Sequence, residues 1–170
     1  MKNWAKDIFC ALKRANVLQI AYVPDAGHKW LISACESDSA IVSIPVTTEE
    51  EGVAVLAGAW LGGQRGAMLM QSSGVGNCIN MFSLITECKF PFACFVTMRG
   101  QWNEFNPWQR PMGKNAGKLL KTMGFSVNTV SHATKVGAKS EEMLHQAFTS
   151  DTAAALLLHQ RLTPRKTFGE

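Results

Sequence analysis

Ile44-Pro45-Val46-Thr47-Thr48-Glu49-Glu50-Glu51-Gly52, running without a break into the small-residue segment Val53 to Trp60, decides the architecture of the chain. The β-rich run Ala40 to Val46 ends in two threonines, either of which suits a helix N-cap. Three carboxylates then fall in a first helical turn, where the helix dipole favours negative charge, and Gly62-Gly63 ends the helix. A strand handing directly to a helix is one βα unit.

The same alternation extends in both directions. Upstream, Trp4, Ile8, Leu12 and Ala15 share one face of an opening helix over residues 3–15. Leu18 to Val23 reads as a strand closed by the turn Pro24-Asp25-Ala26-Gly27, and His28 to Cys35 as the next helix. Downstream, Ala67 to Gln71 is an apolar strand, Ser72 to Asn77 a tight turn, and Cys78 to Cys88 a helix. Phe90 to Met98 is the most hydrophobic strand. A long loop, Arg99 to Gly113, carries Trp102, Trp108, Arg99 and Arg110. A helix over Lys114 to Met123, a strand Phe125 to Val130, a helix near Ser140 to Phe148, a strand Ala153 to Leu158 and a frayed tail after Thr163 complete the pattern. This rhythm predicts an α/β fold: a doubly wound, mostly parallel six-stranded sheet with helices on both faces, in a single domain spanning residues 1–170.

Composition narrows the function. The chain is 46% hydrophobic and 18% charged, and its net charge of +4 is spread without a basic run, which disfavours nucleic acid and suits a small anionic ligand. The five cysteines (Cys10, Cys35, Cys78, Cys88, Cys94) show neither disulfide nor zinc spacing, and a reducing compartment fits them. Met1 to Asp7 lacks the apolar core of a signal peptide and no apolar run is long enough to span a bilayer. The expectation is a cytoplasmic protein, neither binding nucleic acid nor embedded in a membrane.

In doubly wound sheets ligands sit beyond the carboxyl ends of the strands. Pro24 to His28, Thr47 to Glu51, Gln71 to Asn77 and Arg99 to Gly113 all fall there. Glu49 to Glu51 read either as a solvated helix start or as a set with one carboxylate turned inward toward Ala54, Ala57 and Gly58, since successive helical residues point about 100° apart. An inward carboxylate would have a raised pKa and could pass a proton near neutrality. Ser72-Ser73-Gly74-Val75-Gly76-Asn77 matches neither phosphate-binding glycine motif, but it would let a flat ligand approach the backbone. His28 reads as a surface or ligand group, and Arg99, Arg110 and Lys114 as solvated cations or anion binders. No metal-ligand spacing is present.

Val23-Pro24-Asp25, Ile44 to Gly52, Ala57-Gly58-Ala59-Trp60, Met70 to Asn77, Arg99-Gly100 and Pro111-Met112-Gly113 resemble, in order, the pyrimidine-binding (Pyr) domain of thiamine diphosphate enzymes, over roughly residues 15–160. Within that family the likeness is to the alpha subunits of sulfopyruvate decarboxylases, with phosphonopyruvate decarboxylases as near kin. Thr48 stands where the family often has arginine, and Ser72 where it often has asparagine.

The resemblance implies a lyase that decarboxylates an anionic 2-keto acid. Glu50 would be the catalytic, pyrimidine-bonding carboxylate, with Glu51 as the competing choice. Gln71, Ser72, Ser73, Gly74 and Asn77 would lie at the cofactor, and Pro24, Asp25 and His28 at the substrate. The family's Gly-Asp-Gly pattern for magnesium and diphosphate does not occur in the sequence. The resemblance therefore implies a beta subunit supplying Mg2+ and diphosphate binding in a hetero-oligomer. The competing expectation is a flavodoxin-like module that binds or scaffolds without catalysis.

Overall fold

The computed structural model describes residues 3–163. Six strands form one sheet in the order β2-β1-β3-β4-β6-β5, and every neighbouring pair is parallel. The strands are β1 (Val17–Tyr22), β2 (Val42–Pro45), β3 (Arg65–Gln71), β4 (Phe92–Thr97), β5 (Ser126–Val130) and β6 (Ala153–Leu158). The helices are α1 (Trp4–Arg14), α2 (Lys29–Glu36), α3 (Glu49–Leu61), α4 (Ser72–Asn77), α5 (Phe82–Cys88), α6 (Arg110–Thr122) and α7 (Val136–Thr149). The doubly wound reading holds.

Period-two alternation divides each central strand between two cores. Ala67 and Leu69 of β3, Phe95 of β4 and Leu156 and Leu158 of β6 pack under α1, α2 and α7, with Ile8, Leu12 and Leu144. Met68, Met70, Cys94, Val96 and Leu157 face the opposite layer of α3 to α6, with Phe82, Ala116 and Leu120. Burial on both faces explains why β4 and β6 are apolar at nearly every position. Phe82, Phe92 and Phe125 meet at centroid distances of 4.7 to 6.2 Å and seal the second core. Gly52 and Gly66 let α3 lie low on the sheet: a Cβ on Gly52 would press Met68, and one on Gly66 would press Leu56.

Several boundaries differ from the expectations. Ser72–Asn77 is a short helix, not a turn, because Ser72, Gly74 and Val75 are buried and packing outweighs the low helix propensity of glycine. The following helix starts at Phe82, four residues later than predicted. β2 begins at Val42, because Asp38 Oδ1 accepts from the Ala40 amide at 2.9 Å and holds residues 38–40 in a turn. α6 begins at Arg110, with Pro111 in its first turn where its missing N–H costs nothing, so the predicted long loop is shorter. The tail predicted to fray, residues 164–170, lies outside the described residues. No helix among those residues is long and apolar enough to cross a membrane.

The chain leaves β1 toward β2 on one side and returns to pair β3 on the other, so the strand order reverses between β1 and β3. The carboxyl ends of those two strands flank the crevice where such sheets take ligands.

Candidate functional site

The first turn of α3 separates its three carboxylates. Thr48, the extended N-cap residue, makes no side-chain cap bond. Glu51 instead reaches back to accept from the Thr47 amide at 2.9 Å and the Thr47 hydroxyl at 2.6 Å, which holds its carboxyl below the usual range. Glu49 is the inward one: it is 7% exposed, and its Oε2 accepts from Asn77 Nδ2 at 2.7 Å. Glu50 is exposed and, among the described residues, has no hydrogen-bond or ion-pair partner. The sequence suggested an inward carboxylate toward Ala54, Ala57 and Gly58; Ala54 and Gly58 are exposed and Ala57 is half-buried, and Glu49 instead faces α4 because α3 turns its Gly52 side to the sheet. Cys78 lies near both acids; burial first, then Glu49 and Glu50, push its thiol up to about 12.

A polar network joins the carboxyl ends of β1, β3 and β4. Asp25 accepts from Gln71 Nε2 at 3.0 Å, from the Thr97 hydroxyl at 2.7 Å and from the Gly27 amide at 3.0 Å. Burial works against its charge, but the bonds from Gln71 and Thr97 outweigh it, and the carboxyl sits below its ordinary range. Gln71 Oε1 in turn accepts from Gln109 Nε2 at 3.0 Å and from the Ser73 hydroxyl at 3.1 Å. Ser72 Oγ accepts from the Arg99 amide at 3.1 Å.

His28, for which the sequence left a surface position open, is fully buried at the start of α2. Its Nε2 lies 3.2 Å from the Phe95 carbonyl, so Nε2 carries the proton, and Nδ1 has no hydrogen-bond partner among the described residues. Burial lowers its pKa against the opposing pull of Asp25. The imidazole is a neutral interior group beneath Asp25, while Pro24 is exposed above it.

The loop after β4 is pinned. Glu104 Oε2 accepts from Arg99 Nε at 3.1 Å, from the Gly100 amide at 2.9 Å and from Gln160 Nε2 at 2.8 Å; Oε1 accepts from Arg99 Nη2 at 3.3 Å and from the Asn106 amide at 3.0 Å. Burial opposes ionisation, yet these donors bring its pKa down to about 2. Gln160 Oε1 caps the amides of Gln101 and Trp102, each at 2.9 Å. Gly100 has φ +72 and lies against the Gln109–Arg110 backbone, where a side chain would overlap it. Arg99 is thereby neutralised by Glu104. Arg110 and Lys114, four residues apart at the start of α6, are exposed and without partners among the described residues.

A cavity of about 300 Å³ opens at this end of the sheet, and Asp25, Thr97, Arg99, Trp102, Glu104 and Gln160 line it. No residue of α3 or α4 does, so Glu50 stands on an open surface outside this cavity. Thr97, Glu104, Gln109 and Gln160 escaped the sequence reading. Their signal was faint: a lone polar residue ending an apolar strand, one acid in a loop with Arg99, and glutamines far away in sequence.

A six-stranded parallel sheet with helices on both faces and an exposed acid at a helix start defines a doubly wound α/β chain, a class that takes ligands beyond its strand ends. Known proteins make this specific. The chain is 37% identical over 145 residues to the sulfopyruvate decarboxylase subunit alpha of Methanococcus maripaludis, covering 83% of this chain and 87% of that one. It is 32% identical over 152 residues to the corresponding subunit of Methanothermobacter thermautotrophicus, covering 89% and 92%. The phosphonopyruvate decarboxylase of Streptomyces viridochromogenes is 34% identical over 160 residues, which make up 93% of this chain but 38% of that protein. No family model matches. In fold, the chain superposes with a TM-score of 0.74 on a 2-oxoglutarate:ferredoxin oxidoreductase from Magnetococcus marinus, at 12% identity, over 96% of this chain and 31% of the other.

The chain belongs to the family of sulfopyruvate decarboxylase alpha subunits, a Pyr-domain family to which phosphonopyruvate decarboxylases are similar over part of their length. Glu50 presents an exposed carboxylate at the start of α3, and on α4 Gly76 is exposed, where a Cβ would meet only the Met112 side chain at 3.5 Å. Among the described residues no group of three or more His, Cys, Asp or Glu could hold a metal ion.

Proposed function

We propose that this chain is the alpha subunit of a two-chain, thiamine diphosphate-dependent decarboxylase that converts 3-sulfopyruvate to sulfoacetaldehyde and carbon dioxide, with phosphonopyruvate as the competing substrate. The observation that carries the reading is Glu50, an unpaired exposed carboxylate at the carboxyl ends of the strands, outside the cavity at this end of the sheet. A group so placed waits for a surface brought by another chain.

Glu50 bonds the pyrimidine ring and holds or passes the proton that ring activation requires. Thiamine diphosphate, when bound, supplies the electron sink for loss of the carboxylate as carbon dioxide. Mg2+ and the diphosphate are held by the beta subunit. Gly76 leaves the ring's approach open, while Ser72, Ser73, Gly74, Asn77 and Gln71 build the wall behind it. Asp25, kept charged by its three donors, faces the substrate with Pro24; His28 supports it from the interior. Arg110 and Lys114 take the anionic tail, since Arg99 is already matched by Glu104.

Assembly with the partner chain, cofactor and magnesium, followed by carbon dioxide release from sulfopyruvate and from phosphonopyruvate, tests the assignment. Glu50→Gln is expected to lower kcat by at least about 100-fold, in the range of lost acid–base catalysis. Wild-type turnover by that variant would refute the mechanism.

A further inference from the structure

We propose that Glu49 is the positioning residue of this site: its carboxylate, seated on Gly74 and held by Asn77, fixes where Glu50 stands. The inference rests on the reading of Glu50 above and adds a role for its neighbour.

The first turn of a helix has no intrahelical acceptors for its N–H groups and frays unless side chains hold it. Thr48 provides no such bond. Two side chains remain. Glu51 grips Thr47, which belongs to the same segment and moves with it. Glu49 alone reaches another element: through Asn77 it ties α3 to α4, which follows β3 without a connector. Because adjacent helical residues diverge by about 100°, anchoring Glu49 inward sets the direction in which Glu50 leaves the helix.

Gly74 supplies the independent observation. A glycine inside a helix costs about 1 kcal/mol against alanine, and this one adopts no positive φ that would require it. A Cβ there would overlap the Glu49 side chain at Oε1, Cδ and Cγ. Glycine at this position is the space into which the Glu49 carboxylate fits. Gly74 and Asn77, which the family resemblance assigns to the cofactor, therefore act on it through Glu49.

The test uses the full chain, alone and assembled with its partner, carrying Gly74→Ala, Asn77→Ala or Glu49→Gln, each also combined with Glu50→Gln. In the chain alone, without cofactor, amide hydrogen exchange across residues 47–56 should speed up about tenfold in Gly74→Ala and Asn77→Ala, the scale of one lost bond to a charged group. Exchange in α1 and α7 should not change. In the assembled protein, exchange of the cofactor's C2 proton should slow on the order of 100-fold in Gly74→Ala, the scale of a misplaced reacting group. Glu49→Gln, which keeps an acceptor for Asn77, should stay near the wild-type rate. With Glu50→Gln already present, Gly74→Ala should have no further effect on C2 exchange. Independent, multiplying losses in the double variants, or unchanged amide exchange in both Gly74→Ala and Asn77→Ala, would overturn the proposal. Wild-type C2 exchange in Glu50→Gln would instead overturn the reading of Glu50, while the amide measurement still decides the tie. Asn77 is exposed, so its variant keeps the core intact if Gly74→Ala does not fold.

Discussion

Replacing Glu104 by glutamine removes one charge from a side chain that is 3% exposed and that faces five donors. A glutamine offers one accepting oxygen. With its amide nitrogen at the Oε1 position, the bonds from Arg99 Nη2 and the Asn106 amide are lost; at the Oε2 position, those from Arg99 Nε, the Gly100 amide and Gln160 are lost. Either choice breaks two or three bonds and leaves the Arg99 guanidinium without its counter-charge, a loss of about 3 kcal/mol. The titration points to the same size. A carboxyl lowered from 4.5 to about 2 represents about 3 kcal/mol of preference for the charged form in the folded chain. Because the folded pKa is the depressed one, this stability is fully present above about pH 4.5 and is lost as pH falls toward 2. Urea unfolding of wild type and Glu104→Gln should therefore differ by about 3 kcal/mol at pH 7, and the gap should narrow steadily below pH 4.5. A difference under about 1 kcal/mol at pH 7, or one that stays constant down to pH 3, would refute the clamp.

The cations should separate by the same logic. Arg110 and Lys114 have no partner among the described residues, so in Arg110→Ala and Lys114→Ala stability should move by no more than about 0.5 kcal/mol while KM for sulfopyruvate rises; an unchanged KM in both would remove them from the anion site. Arg99→Ala should do the reverse in thermal unfolding, costing about 3 kcal/mol by stranding Glu104. Phe82→Ala, removing one ring of the three-ring cluster, should cost about 3 to 5 kcal/mol by denaturant titration.

Which features were legible in the sequence follows from the range of the forces involved. β4 and β6 announce themselves because burial on both faces demands apolar side chains at nearly every position, a purely local record. The strand-end segments around Asp25, Glu50 and Gln71 were recognisable once the alternation was read, since parallel order places them at one edge. α4 was not, because two glycines in six residues carry no helical signal and the helix exists through contact with α3 and α6. Three consecutive glutamates are chemically identical; which one turns inward depends on how low α3 lies on the sheet, and that is set by Gly52 and Gly66 against Met68 and Leu56. His28 read as a surface or ligand group because nothing local reveals that its ring meets the Phe95 carbonyl, 67 residues away. Glu104 and Gln160 are 56 residues apart and meet only because β4 and β6 are neighbours.

Charge placement also bears on where an anion can go. Among the described residues, the cavity at the sheet's end holds two carboxylates, Asp25 and Glu104, both kept ionised at neutral pH by their donors, against the guanidinium of Arg99. That guanidinium is already committed to Glu104 through two nitrogens. A sulfonate or phosphonate entering there would meet like charge in a partly desolvated space, where repulsion is screened least. Arg110 and Lys114 lie outside the cavity, exposed on α6, which contains no acidic residue. Under the proposed function, the anionic tail of the substrate is thus turned away from this cavity and toward Arg110 and Lys114.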